Sequence, residues 1–263
     1  ESQQQGGRPE PGLGRSPPPK RTLRTGFGSL AAAAILLGMG AARGELPVER
    51  RWQRAGDGGA YRDARFRTRR ARERDPRLVR RVLGSLPSDA PPIESILDVP
   101  CGAGRLREAA LAATGRSGDA PRWTGVDVSD EMLRAVSKST GGLVRASADA
   151  LPFADGAFDL VLCCRLLHHL ADAEARTAVI AELVRVARRY VVASHWDAAS
   201  FQAWRHRTQG PLRRRKRGDT RRAIGWRELS AEFESQGARP IRRAHSLRFV
   251  SQQAFLLAET GLD

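Results

Sequence analysis

The sequence predicts an α/β protein in which helices cover both faces of a mostly parallel sheet. Short apolar runs rich in Val, Ile and Leu alternate with helix-like segments from about residue 75 onward. This alternation is typical of a parallel sheet with helical crossovers. Gly, Pro and helix-capping residues separate the runs. The chain has 263 residues, which is enough for one domain with a complete core and additional segments.

The secondary-structure elements are expected in a regular order. Asp75 and Pro76 are predicted to open the first long helix, because Asp is a favoured N-cap and Pro a favoured first helical residue. Ser129 is expected to cap a later helix. The predicted strands lie at 95–100, 122–128, 142–148, 158–164, 188–195, 239–247 and 251–259. The other predicted helices lie at 105–113, 129–137, 172–187 and 225–237, with an aromatic-bearing helix around residue 201.

The chain before the predicted domain differs in composition. Residues 1–43 begin with a polar stretch rich in Pro and Gly and end with an apolar run that is short for a membrane span. We interpret them as a disordered or non-native leader, with a membrane anchor as the alternative. Residues 44–74 are predicted to form an arginine-rich cap. Residues 75–263 would be the main domain, with a basic insert at about 197–224.

The formal charge is +16, and only three of the 45 basic residues are lysines. This skew indicates a coding bias toward arginine, although contact with nucleic acid or an anionic membrane would also use the charge. The three cysteines, Cys101, Cys163 and Cys164, form neither a disulfide framework nor a pattern of metal ligands. We therefore expect a cytoplasmic protein without a metal, with association with an anionic membrane surface as a further option.

The segment ILDVPCGAGRL at 96–106 carries an acid at the end of a predicted strand, followed by a glycine-rich turn and a helix. Gly102 and Gly104 allow the backbone to approach a ligand closely. The helix start presents free N–H groups to polar ligand atoms. Because Asp98 would repel a phosphate, the pattern favours a ligand that carries a cationic amino group.

Four segments in this order resemble the class I S-adenosylmethionine-dependent methyltransferases over about residues 75–260, most closely the ubiquinone and menaquinone methyltransferases. They are LDVPCGAGR, GVDVSDEML, ASADALPFADGAFDLVLC and RLLHHL. The resemblance implies a Rossmann-like, doubly wound sheet of seven strands whose last strand is antiparallel. A nicotinamide-binding protein is the rival, but its GxGxxG motif needs a glycine at Arg107.

The resemblance also implies how S-adenosylmethionine would bind. Asp98 would orient the ammonium group of the methionine part, and the glycine loop would lie against that part. Asp127 would accept hydrogen bonds from both ribose hydroxyls. Met132 would cover the adenine, whose amino group would donate to Asp149. The expected cofactor-binding residues are Asp98, Pro100, Cys101, Gly102, Gly104, Asp127, Val128, Met132, Asp149, Ala150 and Cys164. Pro100 departs from the family, which often has a glycine there.

The catalytic requirements are modest, because methyl transfer from a sulfonium is an in-line displacement that depends mainly on alignment. A base is needed only when the acceptor must lose a proton. His195 and His168 are the candidate bases, and a reaction without a base is the alternative. Four further residues are expected on the acceptor side: Tyr61, Arg165, His169 and Trp196.

A small-molecule or lipid-like acceptor is the preferred prediction. An RNA methyltransferase is the alternative, since the basic insert could contact phosphates, and a binding module without activity is less compatible with the intact cofactor motif. Two arginine-rich segments, 62–81 and 205–222, are expected to flank the pocket mouth. We hypothesise that their positive field attracts an anionic acceptor or an anionic membrane.

Overall fold

A computed structural model describes residues 68–115, 120–136, 142–209 and 221–261. Seven strands form one sheet in the order β3-β2-β1-β4-β5-β7-β6. Strand β7 runs antiparallel to both of its neighbours, and the other pairs are parallel. This arrangement confirms the predicted fold class. The strands are β1 Ser95–Asp98, β2 Arg122–Asp127, β3 Leu143–Arg145, β4 Phe158–Cys163, β5 Ala187–Trp196, β6 Ala238–His245 and β7 Gln253–Thr260.

The helices begin and end largely where the sequence predicts. Ser129 caps its helix by accepting a hydrogen bond from the N–H of Met132 at 3.3 Å. Asp172 caps the next one in the same way, accepting from Ala175 at 3.1 Å. The helices are α1 Arg69–Leu83, α2 Arg107–Thr114, α3 Asp130–Arg134, α4 Ala173–Val186, α5 Phe201–Gln209 and α6 Trp226–Ser235, with a 3₁₀ turn at Leu167–His169.

The predicted start of α1 is wrong. The helix begins six residues earlier than Asp75, where Thr68 accepts a hydrogen bond from the N–H of Ala71 at 3.2 Å. Asp75 and Pro76 therefore lie inside the helix. Asp75 cannot act as a cap because its carboxylate points into the protein, where it pairs with arginines. Pro76 has no N–H for the helical hydrogen-bond ladder, so it weakens this turn.

Two hydrophobic layers enclose the sheet. On one face, α4 and α6 pack against it through residues such as Leu183 and Phe233. On the other face, α1 and α2 do so through residues such as Val82 and Ala110. Every residue of β4 is buried. A strand covered on both faces has a nearly continuous apolar sequence, which is why FDLVLC is apolar at every position except Asp159.

One charged side chain lies entirely within this packing. Arg176 on α4 is fully buried, and it forms ion pairs with Glu228 and Glu232 on α6. Its Nη1 also donates a hydrogen bond to the carbonyl of Leu170 at 3.1 Å. The ion pairs join the two helices that cover one face of the sheet. Removing one partner of such a pair leaves a buried charge uncompensated.

We expect Arg176→Ala to lower the free energy of unfolding by about 3–5 kcal/mol, because the largely buried Glu232 loses the charge that compensates it. Glu228 keeps an ion pair with Arg222 at 3.0 Å. Urea unfolding followed by circular dichroism measures the change. Arg239→Ala is the matched control, since that arginine forms an exposed ion pair with Glu259, and it should cost less than about 1 kcal/mol. Equal costs for the two variants would show that the buried ion pairs do not stabilise the fold.

Candidate active site

Strands β1, β2 and β4 end at the same edge of the sheet, where open α/β sheets bind ligands. Asp98 is the last residue of β1 and is only 1% exposed. Neither of its carboxylate oxygens has a hydrogen-bond partner among the described residues. Burial raises the pKa of Asp98 to about 7, opposed by the charge of Arg105 and assisted by that of Asp127. This edge therefore holds a buried acid whose carboxylate has no direct hydrogen-bond partner among the described residues.

A second buried acid shows how the protein compensates such a group elsewhere. Asp159 on β4 accepts hydrogen bonds from the backbone N–H groups of Glu94 and Ser95 and from the Ser95 hydroxyl at 2.9–3.0 Å. It also pairs with Arg189 at 2.9 Å. Burial acts to raise the pKa of Asp159, but these donors lower it overall. Among the described residues Asp98 has no comparable donors, which is the condition expected of a group that binds a cationic ligand.

The glycine loop lies beside this acid. Gly102 has φ +54° and Gly104 has φ +72°, values that favour glycine. The N–H of Gly102 donates to Oδ2 of Asp127 at 2.9 Å. A Cβ added at Gly102 would meet no atom within 4 Å, so the loop borders open space. The loop can therefore receive a ligand against its backbone.

The carboxylate of Asp127 is fixed at the end of β2. Its Oδ1 accepts a hydrogen bond from the N–H of Ser129 at 3.0 Å, in addition to the bond from the loop to Oδ2. Burial raises the pKa of Asp127 in spite of these bonds. Each carboxylate oxygen can accept a further hydrogen bond. The side chain is therefore oriented for two additional donors.

The loop approaches β2 closely because of a glycine that the sequence analysis missed. The N–H of Cys101 donates to the carbonyl of Val126 at 2.8 Å. A Cβ at Gly125 would come within 2.9 Å of Sγ of Cys101 and 2.5 Å of the Trp123 ring. An isolated glycine within a strand often marks such a close approach, so the sequence contained this signal. Pro100, which follows a cis peptide bond, opens the same loop.

The remaining predicted cofactor residues lie near β2 and β3. Met132 is buried on α3. The Asp149 carboxylate accepts a hydrogen bond from the Ser147 hydroxyl. The N–H of Ala150 donates to the Ser147 carbonyl at 3.3 Å. Val128, directly after β2, is half-buried. The polar groups in the turn at 147–150 therefore bond to one another.

Asp75 connects this site to α1, a function that the sequence analysis did not predict. Its Oδ2 lies 2.7 Å from Nη2 of Arg105, which follows the glycine loop, and 2.9 Å from Nε of Arg165, which follows β4. Burial acts to raise the pKa of Asp75, but these arginines lower it. Arg165 has φ +66°, and its N–H donates to the Ser194 hydroxyl at 2.7 Å. One buried carboxylate thus fixes two loops at the ligand edge.

Three rings meet beyond the ends of β4 and β5. The fully buried ring of His168 stacks on Trp196 with a centroid distance of 4.5 Å and an interplanar angle of 12°. The His169 ring lies 4.4 Å from that of His168. The guanidinium of Arg221 lies 5.2 Å from the Trp196 ring centroid. Cys164 is buried nearby at the end of β4, and burial raises its pKa to about 12, so its thiol stays protonated.

His195 lies in a different environment, near strand β6. It is fully buried on β5, and neither ring nitrogen has a hydrogen-bond partner among the described residues. Its pKa falls to about 3, first because of burial and then because of the charge of Arg243. Asp197 pairs with Arg243 at 2.6 Å and with His245 at 3.1 Å. His195 is therefore neutral at physiological pH and a weak base.

Several predicted features lie outside the described residues. They are Tyr61, the whole leader, all of the cap before residue 68, and residues 210–220 of the basic insert. Within the described ranges, no group of three or more His, Cys, Asp or Glu side chains is arranged to hold a metal ion. No helix in that part of the chain is long and apolar enough to cross a membrane.

Comparisons with known proteins agree with this geometry. Residues 96–189 match the methyltransferase domain family. The magnesium protoporphyrin IX methyltransferase of Synechocystis PCC 6803, solved with bound SAH, superposes with a TM-score of 0.56 at 19% identity, covering 72% of this chain and 84% of that one. A SAM-dependent methyltransferase from Archaeoglobus fulgidus gives 0.55 at 16% identity, with 76% and 98% covered. At these identities the likeness concerns the fold.

A protein sequence from a Streptomyces fradiae transposon, an uncharacterised chain of 37.1 kDa, is 32% identical over 119 residues. The match covers 43% of this chain and 34% of the relative, so the chain spans about a third of that relative's length. It carries no information on activity. The family match over residues 96–189, the sheet order and the structural likeness together support one conclusion: this chain has the fold of the S-adenosylmethionine-dependent methyltransferases.

Proposed function

We propose that the protein transfers the methyl group of S-adenosylmethionine to a small-molecule or lipid-like acceptor, as the ubiquinone and menaquinone methyltransferases do. The observation that carries this proposal is the buried Asp98 carboxylate. It has no hydrogen-bond partner among the described residues and lies beside an open glycine loop. A ligand ammonium would supply the direct ion-pair and hydrogen-bond partner, whereas a phosphate would be repelled.

The proposed cofactor contacts follow the edge of the sheet. Asp98 would hold the ammonium, and the backbone of Pro100, Cys101, Gly102 and Gly104 would border the methionine part. Asp127 is proposed to accept from the ribose hydroxyls, since its two oxygens are already oriented by backbone N–H groups. The proposed adenine contacts are Val128, Met132, Asp149 and Ala150. Cys164 is proposed to border the reacting end of the cofactor.

The bound cofactor supplies a methyl group on a positively charged sulfur. The residues of the chain then need to align the acceptor and exclude water. We place Arg165, His169 and Trp196 on the acceptor side, together with Tyr61. His168 is the better candidate base, because it lies in the 3₁₀ turn that follows β4 and its ring stacks on Trp196. His195, with a pKa of about 3, would accept a proton only weakly.

The proposed division of the chain is a leader at 1–43, a cap at 44–74 and a methyltransferase domain at 75–263 with an insert at 197–224. Helix α1 begins at Arg69, so the cap would contribute the first turn and a half of that helix. RNA remains the alternative acceptor class, which the acceptor experiment below distinguishes.

We expect the protein to bind S-adenosylmethionine with micromolar affinity and not to bind NAD. Asp127→Ala should weaken the affinity by about 10- to 100-fold, because two hydrogen bonds of about 1–1.5 kcal/mol each are lost. Isothermal titration calorimetry measures both. Asp130→Ala is the control, since Asp130 is partly exposed on the adjacent helix, and it should leave the affinity within about twofold. An unchanged dissociation constant in the Asp127 variant would remove Asp127 from the site.

The cofactor affinity should depend on pH through Asp98. The pKa of Asp98 is raised to about 7 in the free protein, and only the ionised carboxylate pairs with an ammonium. The cofactor affinity should therefore be highest above about pH 7. Below pH 7 it should fall by up to about tenfold for each pH unit. Titrations stay below the ordinary α-amino pKa of about 8. Asp98→Asn should bind weakly with little pH dependence, whereas a variant that keeps the original slope would assign the titration to another group.

The acceptor class is tested by incubating the protein with cofactor labelled in its methyl group and with separate lipid, metabolite, RNA and protein extracts. We expect label in the metabolite or lipid fraction. Asp98→Asn serves as the control, because this variant should bind the cofactor only weakly at the proposed site. Any methyl label that it transfers as well as the parent protein does must come from another source. Label that appears in RNA alone would replace the proposed acceptor by the alternative.

A further inference from the structure

Five exposed apolar side chains form one patch at the edge of the sheet. They are Phe201 and Trp204 on α5 and Leu247, Phe249 and Val250 in the loop between β6 and β7. Each is 50–63% exposed. The described part of the chain exposes six large apolar side chains, and the only one elsewhere is Leu143 on β3. Such clustering, in contrast to scattered exposure, marks an interaction surface.

Hydrogen bonds join the two segments that carry this apolar patch. The N–H of Phe201 donates to the carbonyl of Phe249 at 2.6 Å, and the N–H of Gln202 donates to that of Val250 at 3.3 Å. The rings of Phe201 and Trp204 stack at 5.4 Å. Phe249 has φ +64°, a backbone conformation that a bulky residue rarely adopts. The loop is therefore held in place while its apolar side chains face solvent.

The surroundings of the apolar patch are positively charged. Arg205 and Arg207 are exposed on α5, and the guanidinium of Arg248 lies 4.8 Å from the ring centroid of Phe249. Neither α5 nor the loop at 246–252 contains an acidic residue. Aromatic and aliphatic side chains with adjacent arginines are the combination that binds the interface of an anionic bilayer.

We propose that the apolar patch docks the protein peripherally onto an anionic lipid membrane. Charge complementarity selects the occupant, because the arginines match anionic headgroups while the aromatic and aliphatic side chains match the acyl boundary. A single-stranded RNA would use aromatic platforms for stacking, but it would leave the aliphatic side chains of Leu247 and Val250 exposed. The lipid surface accommodates all five side chains.

The position of the apolar patch connects it to the reaction. Helix α5 follows the carboxyl end of β5, and the loop follows the carboxyl end of β6, which is parallel to β5. Both therefore lie at the edge of the sheet that holds Asp98 and Asp127. A docked molecule would present this edge to the bilayer. This part of the inference rests on the proposed function and specifies a membrane-borne acceptor.

Binding to vesicles tests the docking surface. The full-length protein is sedimented with vesicles of phosphatidylcholine alone or mixed with phosphatidylglycerol. We expect binding to the anionic vesicles only, and at least about tenfold weaker binding for Phe201→Ser/Trp204→Ser, because two apolar anchors are lost. Replacing Arg205, Arg207 and Arg248 by Gln should weaken binding by about fivefold per arginine at low salt and much less at high salt. Leu143→Ser is the matched control and should bind like the parent.

Cofactor calorimetry on the same variants separates the two proposals. Unchanged cofactor affinity shows that a variant is folded. If the parent protein does not bind the cofactor but still sediments with anionic vesicles, the proposed function is wrong and the docking surface stands. Parent protein that stays in solution with anionic vesicles, or patch variants that sediment like the parent, would overturn the docking surface. The docking surface would also be overturned if the patch variants sediment with vesicles like the parent but no longer retain RNA on filters. The same result with a loss of self-association in analytical ultracentrifugation would overturn it too.

Discussion

Asp75 is the ion-pairing centre on which the ligand edge of this protein depends. Its carboxylate is inaccessible to solvent and contacts Arg105 and Arg165. A buried carboxylate is tolerated only when charge and hydrogen bonds compensate it. Its two partners lie directly after the glycine loop and directly after β4. The compensation of one charge therefore attaches α1 to the sheet and sets the positions of both loops at once.

Three buried aspartates of this domain differ in how far their charge is compensated by neighbouring groups. Asp75 and Asp159 are buried and fully paired, and their pKa values are lowered. Asp98 is equally buried, and burial raises its pKa because the charge of Arg105 opposes this effect only in part and no hydrogen bond from the described residues reaches its carboxylate. The difference follows position in the sheet, since Asp98 ends its strand at the edge where α/β folds bind ligands. Missing compensation at that edge is what a site for a cation requires, and it is the basis of the proposed cofactor site.

The proposed cofactor site and the apolar patch differ in polarity. The end that carries the proposed cofactor site is polar, with backbone N–H groups and buried carboxylates close to one another. The end beyond β5 and β6 is apolar and basic, with aromatic side chains in solvent and no acid in the two segments. A methyl transfer that excludes water benefits from an acceptor that arrives from an apolar phase. The proposed docking surface and the proposed reaction are therefore consistent with each other.

The sequence alone determined the class of fold, the strands and the segments on which the proposed cofactor site is based, because local pattern encodes them. The apolar runs, the Ser129 cap and the order Asp98, glycine loop, Asp127 needed no knowledge of distant contacts. The start of α1 was predicted wrongly because Asp75 has the residue type of a cap. Only the tertiary structure decided that this carboxylate turns inward, toward arginines 30 and 90 residues away. The apolar patch likewise depends on two segments that meet only in the folded chain. Contacts between residues that are distant in the sequence leave no local sequence pattern, so they can be identified only in the folded structure.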